Sequence, residues 1–565
     1  MRMPGQRMVV VAAVVSSMMA LAGALTAQPG PPRPPAEVAA AQAALQAGQV
    51  DSAIRTLESY FARNPTATVG RLLLGNAYSQ KGELDKAIAA YERVTLPRPT
   101  RLQAMSLIAG IHARRGNHDE ALKLLGQLKA SGAYDMDLAR TGADFAALRT
   151  DPRFASVMFV PQDFRNPFVE PVRVIHEWRG ETKGDQFSWI ARGIGDVDGD
   201  KVSDIVTSAP TFGANGQPTG RGKVYVYSGR SGKLLWERTG EPGENLGTGL
   251  EGAGDVDRDG VPDVIAGAPA SGHAYVYSGR DGKTLLTLTG TAAESYGNSA
   301  AGAGDQNGDG HADLIVGAPA SNASGQGAGR AYIVSGKDGT VLATLDGRQA
   351  GDGFGSIVAG DKRGRQTPVL VGAPRGGPND RGSVAVYTRL TSGPTTVIDA
   401  DSTGAALGAM FTSFVGDVNG DKVPDVYASD FGNSAKGAST GRVYVHSGAD
   451  GRRLFTLTGE NAGDGFGIGS ADVGDLNRDG FDDLVLGAWQ YSAVAASGGK
   501  IYVYSGKDRS LLRSITGRIP GETLGFDATG VGDVDGDGVV DLLVTSSWSN
   551  VNGFRSGRMF VISGR

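Results

Sequence analysis

One ten-residue stretch constrains this chain more than any other: Gly195-Asp196-Val197-Asp198-Gly199-Asp200-Lys201-Val202-Ser203-Asp204. Its carboxylates fall at relative positions 1, 3, 5 and 9 of a short loop that runs straight into the apolar Ile205-Val206. The pattern returns at Asp255, Asp305, Asp417, Asp475 and Asp533, and a degenerate copy starts at Asp361. The seven starts are spaced by 59, 50, 56, 56, 58 and 58 residues. Hard oxygen ligands at this spacing suit a cation that takes six to eight oxygens at flexible distances, and without one the like charges repel.

A repeat of about 56 residues dictates the architecture of the region from 171 to 565. Each unit has an aromatic- or leucine-plus-glycine lead-in (Tyr296-Gly297, Phe466-Gly467), a strand, the acidic loop, and an apolar strand such as Asp313-Leu314-Ile315-Val316-Gly317-Ala318-Pro319. An alternating strand (Val224-Tyr225-Val226-Tyr227) and a last strand (Leu285-Leu286-Thr287-Leu288) complete it. Four short strands repeated seven times predict a seven-bladed β-propeller, which closes radially and leaves only short edges. The last unit stops after its third strand, Arg558-Met559-Phe560-Val561-Ile562, while Val172 to Gly180 forms a spare strand at the start. The spare strand is expected to complete the last blade; an open β-solenoid does not require that match. The 87 glycines fall at repeated places, as expected of tight turns between short strands.

These units resemble FG-GAP repeats, the blades of the integrin α-subunit N-terminal propeller, over about 70% of the chain. Gly-Ala-Pro stands intact at 267–269, 317–319 and 372–374, and drifts to Ser208-Ala209-Pro210, Gly487-Ala488-Trp489 and Ser546-Ser547-Trp548. The unit with Ser429-Asp430 departs furthest. The expected metal ligands are Asp196, Asp198, Asp200 and Asp204; Asp255, Asp257, Asp259 and Asp263; Asp305, Asn307, Asp309 and Asp313; Asp417, Asn419, Asp421 and Asp425; Asp475, Asn477, Asp479 and Asp483; and Asp533, Asp535, Asp537 and Asp541. A position-7 carbonyl (Val202, Val261, His311, Val423, Phe481, Val539) is expected to add a backbone oxygen. The fourth unit carries Lys362-Arg363-Gly364-Arg365 in place of ligands and is expected to hold no ion. An EF-hand is excluded because position 12 is never Glu and the flanks are strands. An all-protein oxygen cage suits Ca2+ better than Mg2+, which keeps waters in a strict octahedron. About six structural Ca2+ ions are therefore expected, held by 21 of the 60 acidic residues, and they would move the formal charge from -5 to +7.

The first region has a different period, 34, on which Gly48, Gly82 and Gly116 align, as do Ala53, Ala87 and Ala121. Leu72 to Tyr78 with Gly82, Ala87 and Tyr91 resembles a tetratricopeptide repeat, with Arg71 at the usual Trp position. The chain is thus expected to be multidomain: an α-helical tetratricopeptide-like solenoid over 37–128, a capping helix (Ala143 to Leu148) and linker over 129–170, then the all-β propeller over 171–565. Ahead of these stand a Pro-rich spacer (28–36) and a secretory signal (1–27), in which Arg2 and Arg7 precede an apolar run and small residues. An uncleaved signal anchor is the alternative, because the run nearly reaches spanning length. Either way the chain is expected to be secreted, periplasmic or at the cell surface.

Function classes follow. With no cysteine there is no disulfide, thiolate metal site or cysteine nucleophile, and a charge of -5 without a Lys/Arg block argues against nucleic acid. Six scattered histidines form no zinc spacing, and neither a nucleophile elbow nor a P-loop occurs in context. The expectation is a calcium-binding adhesion or scaffold protein without catalysis. The resemblance implies a protein or carbohydrate partner on the face opposite the acidic loops, where Phe212, Phe431, Trp489, Tyr491 and Trp548 stand. The competing assignment of these aromatics is packing between blades. The solenoid offers a groove for a peptide partner, or a spacer. The alternative function is an extracellular carbohydrate- or lipid-active enzyme.

Overall fold

A computed structural model describes residues 34–565 except 215, 216, 218, 362–365, 391 and 392. The signal, most of the Pro-rich spacer and the basic segment of the fourth acidic loop lie outside the described residues. The chain forms two compact units, which meet in sequence between Arg165 and Asn166.

The helical unit contains three antiparallel pairs, α1 (Ala36–Gln46) with α2 (Val50–Arg63), α3 (Arg71–Lys81) with α4 (Leu84–Glu92), and α5 (Arg98–Arg114) with α6 (His118–Ser131), followed by a short helix, Asp137–Thr141. The repeating glycines serve the turns. Gly48, Gly82 and Gly116 have φ of 73, 84 and 77°, a left-handed conformation that costs an L side chain about 1 kcal/mol or more. Gly75 serves packing instead: a Cβ there would lie 2.3 Å from the Tyr91 ring of the paired helix. Arg71, at the position where this repeat usually has Trp, stacks its guanidinium 3.7 Å from the Phe61 ring centroid and donates from Nη2 to Pro65 O at 2.9 Å. A long planar side chain fills the place of an indole.

The single capping helix expected over 143–148 is not formed. Two 3-10 turns, Ala143–Phe145 and Leu148–Thr150, stand there, and Asp151 accepts from the N–H of Arg153 to start a third at Pro152–Val157. A proline at 152 disfavours α geometry at Asp151, so a helix begun at 143 has no room to propagate. Phe145, Leu148, Phe154 and Met158 still bury against α5 and α6, so the end of the solenoid is covered by turns.

The propeller unit contains seven four-stranded antiparallel sheets. Blade 1 comprises Ala191–Gly195, Asp204–Ala209, Lys223–Tyr227 and Leu234–Thr239, from the axis outward, and blades 2 to 6 repeat this order. In blade 7 the outermost strand is Val174–Arg179, paired antiparallel with Arg558–Ile562 in the register Trp178↔Met559. The ring is closed by strand exchange between its two ends, as the spare strand implied. Phe168 packs on Phe560 with ring centroids 5.2 Å apart, and Val169 N–H donates to Thr516 O, which ties residues 166–170 to the propeller.

The second strand of each blade is buried along its whole length, for example Asp263–Ala268 and Asp313–Ala318, because neighbouring blades cover both of its faces. The outermost strands are mostly exposed or half-buried, with one buried residue each in blades 1 and 2. The Phe-Gly and Gly-Ala-Pro elements meet where blades touch. Gly297 N–H donates to Gly317 O at 3.0 Å within blade 3, while the Gly297 carbonyl presses on Gly267 of blade 2. A Cβ on Gly267 would lie 1.8 Å from that oxygen, and Gly317, Gly372 and Gly487 are equally crowded by Gly355, Gly408 and Gly525. The motif is a backbone-to-backbone contact that no side chain can enter. Where the motif drifts to Ser429-Asp430, the buried Asp430 carboxylate accepts from the N–H of Ala405 and Ala406 and so holds the lead-in of its own blade. Among the described residues no helix is long and apolar enough to cross a membrane.

Candidate metal loops and axial cavity

The acidic loops join the inner strand to the second strand at one end of the propeller. In the first loop, Asp196 Oδ1 accepts from Gly199 N–H (2.7 Å) and Asp200 N–H (3.1 Å), and its Oδ2 accepts from Lys201 N–H (2.8 Å). The loop is thereby wound around its first carboxylate, an arrangement that needs a short acidic side chain followed by glycine. Position 5 fixes the other side: Asp200 Oδ1 accepts from Val202 N–H, and the same bond recurs at Asp259, Asp309, Asp421, Asp479 and Asp537.

Position 9 differs in kind. Asp204, Asp263, Asp313, Asp425, Asp483 and Asp541 are all fully buried. Each takes an N–H from position 2 of its own loop on Oδ2 and an N–H from a distant glycine (Gly229, Gly279, Gly336, Gly448, Gly506, Gly564) on Oδ1. Those glycines end the third strand, so this carboxylate sews loop and sheet together. Burial raises its pKa, to about 6 at Asp204 and Asp263 and about 7 at Asp425, although the backbone donors pull the other way. Asp313, Asp483 and Asp541 are also raised by burial.

Three of the loops bring three carboxylates together so that ligand oxygens lie within 4.8 Å of one another: Asp196/Asp198/Asp204, Asp255/Asp257/Asp259 and Asp533/Asp535/Asp537. The loops at 305, 417 and 475 have Asn307, Asn419 and Asn477 at position 3, and no such three-carboxylate group among the described residues. In all six loops the donor set is oxygen only, which fits a hard divalent cation. The His311 ring is engaged outside its own loop, where its Nδ1 lies 2.6 Å from Val256 O of the preceding blade. The outer oxygen of position 5 meets an arginine in three loops, Arg230–Asp200 (3.2 Å), Arg280–Asp259 (3.0 Å) and Arg565–Asp537 (3.0 Å). Arg280 holds the Asp259 carboxyl below the usual carboxylate range. The signal for these arginines was in the sequence, as the repeated Ser-Gly-Arg of 228–230, 278–280 and 563–565, but only the fold places it beside the acidic loop.

At the other end of the inner strands lies a cavity of about 420 Å³ on the propeller axis, to which all seven blades contribute. Its walls are unlike one another. Blades 5, 6, 7 and 1 supply an aromatic belt in which Trp189 packs tilted against Phe526 (5.0 Å), and Phe526 meets Trp489 (5.6 Å) and Trp489 meets Trp548 (5.0 Å) edge to face. Blades 2 to 4 supply Thr248, Asn298, Ser299 and Ser356. Arg192 pairs with Glu251 at 2.9 Å and with the buried Asp527, so the guanidinium that lines the wall among the described residues is already neutralised. Of the aromatics read from the sequence, Phe431, Trp489 and Trp548 line this cavity. Phe212 and Tyr491 instead lie 5.0 Å and 4.9 Å from the ammonium groups of Lys223 and Lys500. Sequence reasoning missed Trp189, Phe411 and Phe526, because nothing local distinguishes them from blade-core aromatics.

Comparisons with known proteins agree with this architecture. Residues 255–316 match the FG-GAP-like repeat family, 193–227 and 468–504 match the FG-GAP repeat, and 44–109 match a tetratricopeptide repeat. The chain is similar to integrin alpha-4 of Xenopus laevis (29% identity over 190 residues, 31% of this chain and 18% of that protein). It is also similar to integrin alpha-8 of Mus musculus (32% over 212 residues, 34% and 19%) and integrin alpha pat-2 of Caenorhabditis elegans (29% over 235 residues, 37% and 18%). The matched stretches span under a fifth of the length of these relatives. The chain therefore joins N-terminal tetratricopeptide-like repeats to a seven-bladed β-propeller that carries FG-GAP repeats and is similar, over about a third of the chain, to integrin alpha subunits.

Proposed function

We propose that this chain is a calcium-stabilised interaction protein, an adhesion or scaffold module working outside the cytoplasm. Ions are held at one end of the propeller and a protein or carbohydrate partner is received at the other. The observation that carries this reading is the division of labour along the inner strands: in six of the seven blades the strand runs from the axial cavity at its start to an acidic loop at its end. A cavity of this size with mostly apolar walls and few polar groups is the usual form of a recognition site. Asp at positions 1, 5 and 9, and Asp or Asn at position 3, would hold the six ions, with the position-7 carbonyl beside them. Calcium, when bound, supplies the opposite charge that the crowded carboxylates lack, and performs no chemistry. The tetratricopeptide repeats serve as a second contact surface or as a spacer.

Two measurements test the reading. Each site loaded at a hundredfold excess over its Kd adds about 2.7 kcal/mol, so EGTA is expected to lower the melting midpoint by about 10 °C or more. An unchanged midpoint rejects the ion assignment. Glycan and peptide arrays probed with and without calcium test the partner face. Calcium-dependent binding without turnover is expected, and cleavage of the captured ligand would instead make the chain an enzyme.

A further inference from the structure

The six acidic loops are not equivalent. Position 3 is Asp in blades 1, 2 and 7 (Asp198, Asp257, Asp535) and Asn in blades 3, 5 and 6 (Asn307, Asn419, Asn477). The arginine partners follow this division. Where position 3 is Asp, a guanidinium from the turn after the third strand lies on the position-5 carboxylate: Arg230 on Asp200, Arg280 on Asp259, Arg565 on Asp537. Arg230 and Arg565 also donate from Nη2 to the main-chain oxygen of the same aspartate, at 3.0 and 2.5 Å, and Arg173 lies 2.8 Å from Asp535. Where position 3 is Asn, the residue in the arginine's place is Lys337, Ala449 or Lys507. The Lys507 ammonium lies 4.9 Å from the Phe481 ring centroid. The side-chain hydrogen bonds to the position-5 carboxylate then come from neutral donors, Asn307 Nδ2 on Asp309 (3.3 Å), Asn477 Nδ2 on Asp479 (3.1 Å) and Ser447 Oγ on Asp421 (3.4 Å), and Lys337 acts on Asp309 only through space.

An additional carboxylate and a fixed guanidinium therefore occur together, in three blades that are consecutive around the ring. We propose that Arg230, Arg280 and Arg565 are resident counter-ions that hold the loops of blades 1, 2 and 7 wound in the absence of calcium, so that the chain has two classes of calcium site. In the loops of blades 3, 5 and 6 no arginine lies on the position-5 carboxylate among the described residues, and these loops loosen first when calcium is withdrawn. The guanidinium suits this role because it is always charged and its planar fork meets both a carboxylate oxygen and a carbonyl oxygen of one residue. The arginine side chains are 57, 59 and 62% exposed. Exposed pairs add little to global stability, so the effect is local protection of each loop and not a change in melting temperature.

The inference rests on the calcium reading above, and hydrogen exchange on the full chain separates the two. In EGTA, amides in 305–313, 417–425 and 475–483 are expected to exchange about tenfold faster than with calcium, and those in 196–204, 255–263 and 533–541 less than about threefold faster. The triple variant Arg230→Gln, Arg280→Gln, Arg565→Gln is expected to bring the second set up to the first in EGTA while leaving exchange in calcium unchanged. The single variant R230Q is expected to release only 196–204, which guards against a global effect of the triple change. Uniform loosening of all six loops, or an unaltered pattern in both variants, overturns the inference while leaving calcium binding in place. Calorimetry on the same sample showing no calcium uptake overturns the reading beneath it as well.

Discussion

The two ends of the propeller differ in symmetry, and the difference separates structure from recognition. At the acidic end, six blades repeat one arrangement down to individual hydrogen bonds: position 5 to the N–H of position 7, and position 9 to the N–H of a distant glycine. At the cavity end the side chains vary around the ring and repeat no common arrangement. Trp189, Thr248, Asn298, Ser356, Phe411, Ile468 and Phe526 occupy comparable places on successive blades. An arrangement repeated around a ring is what folding requires of every blade. One that differs from blade to blade has the asymmetry that binding a single partner on the axis demands.

The comparison breaks most readily at position 9. Asp204→Ala leaves the N–H groups of Val197 and Gly229 buried without their acceptor, and is expected to cost about 3–5 kcal/mol in denaturant unfolding. Asp200→Ala, on the exposed side of the same loop, is expected to cost less than about 1 kcal/mol when calcium is chelated. Equal costs would show that the loop acts only through its ion.

Acidity sharpens the same contrast. A carboxyl whose pKa is higher folded than unfolded binds its proton more tightly in the folded state. It favours folding below its unfolded pKa of about 3.9, and loses that contribution as pH rises through its folded value. With Asp204 and Asp263 at about 6 and Asp425 at about 7, the calcium-free protein is expected to melt lower at pH 8 than at pH 5. Calcium should abolish or reverse that slope. A midpoint in EGTA that rises with pH would contradict the burial-driven shift.

The cavity end carries the smallest effect on stability. Phe431 is half-buried and lines the cavity, so Phe431→Ala is expected to change unfolding stability by less than about 1 kcal/mol. Affinity for a partner recovered from the arrays is expected to fall about tenfold or more, as for a central aromatic contact. Loss of stability with unchanged affinity would reassign this wall to the blade core.

What could be read in advance divides along the same line. The spacing of Asp196, Asp255, Asp305 and their successors, the Gly-Ala-Pro elements and the unfinished last unit determine blade number, strand order and the closure by Val174–Arg179, because each is a local pattern repeated in register. The period-34 glycines determine the helix pairs in the same way. The end of the solenoid was misread at Ala143 to Leu148, where helical composition yields to a proline at 152 and the chain settles into 3-10 turns. Only the tertiary structure decided which glycines are crowded by a neighbouring blade, that Arg230, Arg280 and Arg565 reach acidic loops 30, 21 and 28 residues upstream, and that aromatics from four blades meet on one axis. The physical reason is range. Periodicity and turn chemistry act over a few residues and are written in the sequence. Convergence on an axis is fixed by the closure of the ring, which no single repeat contains.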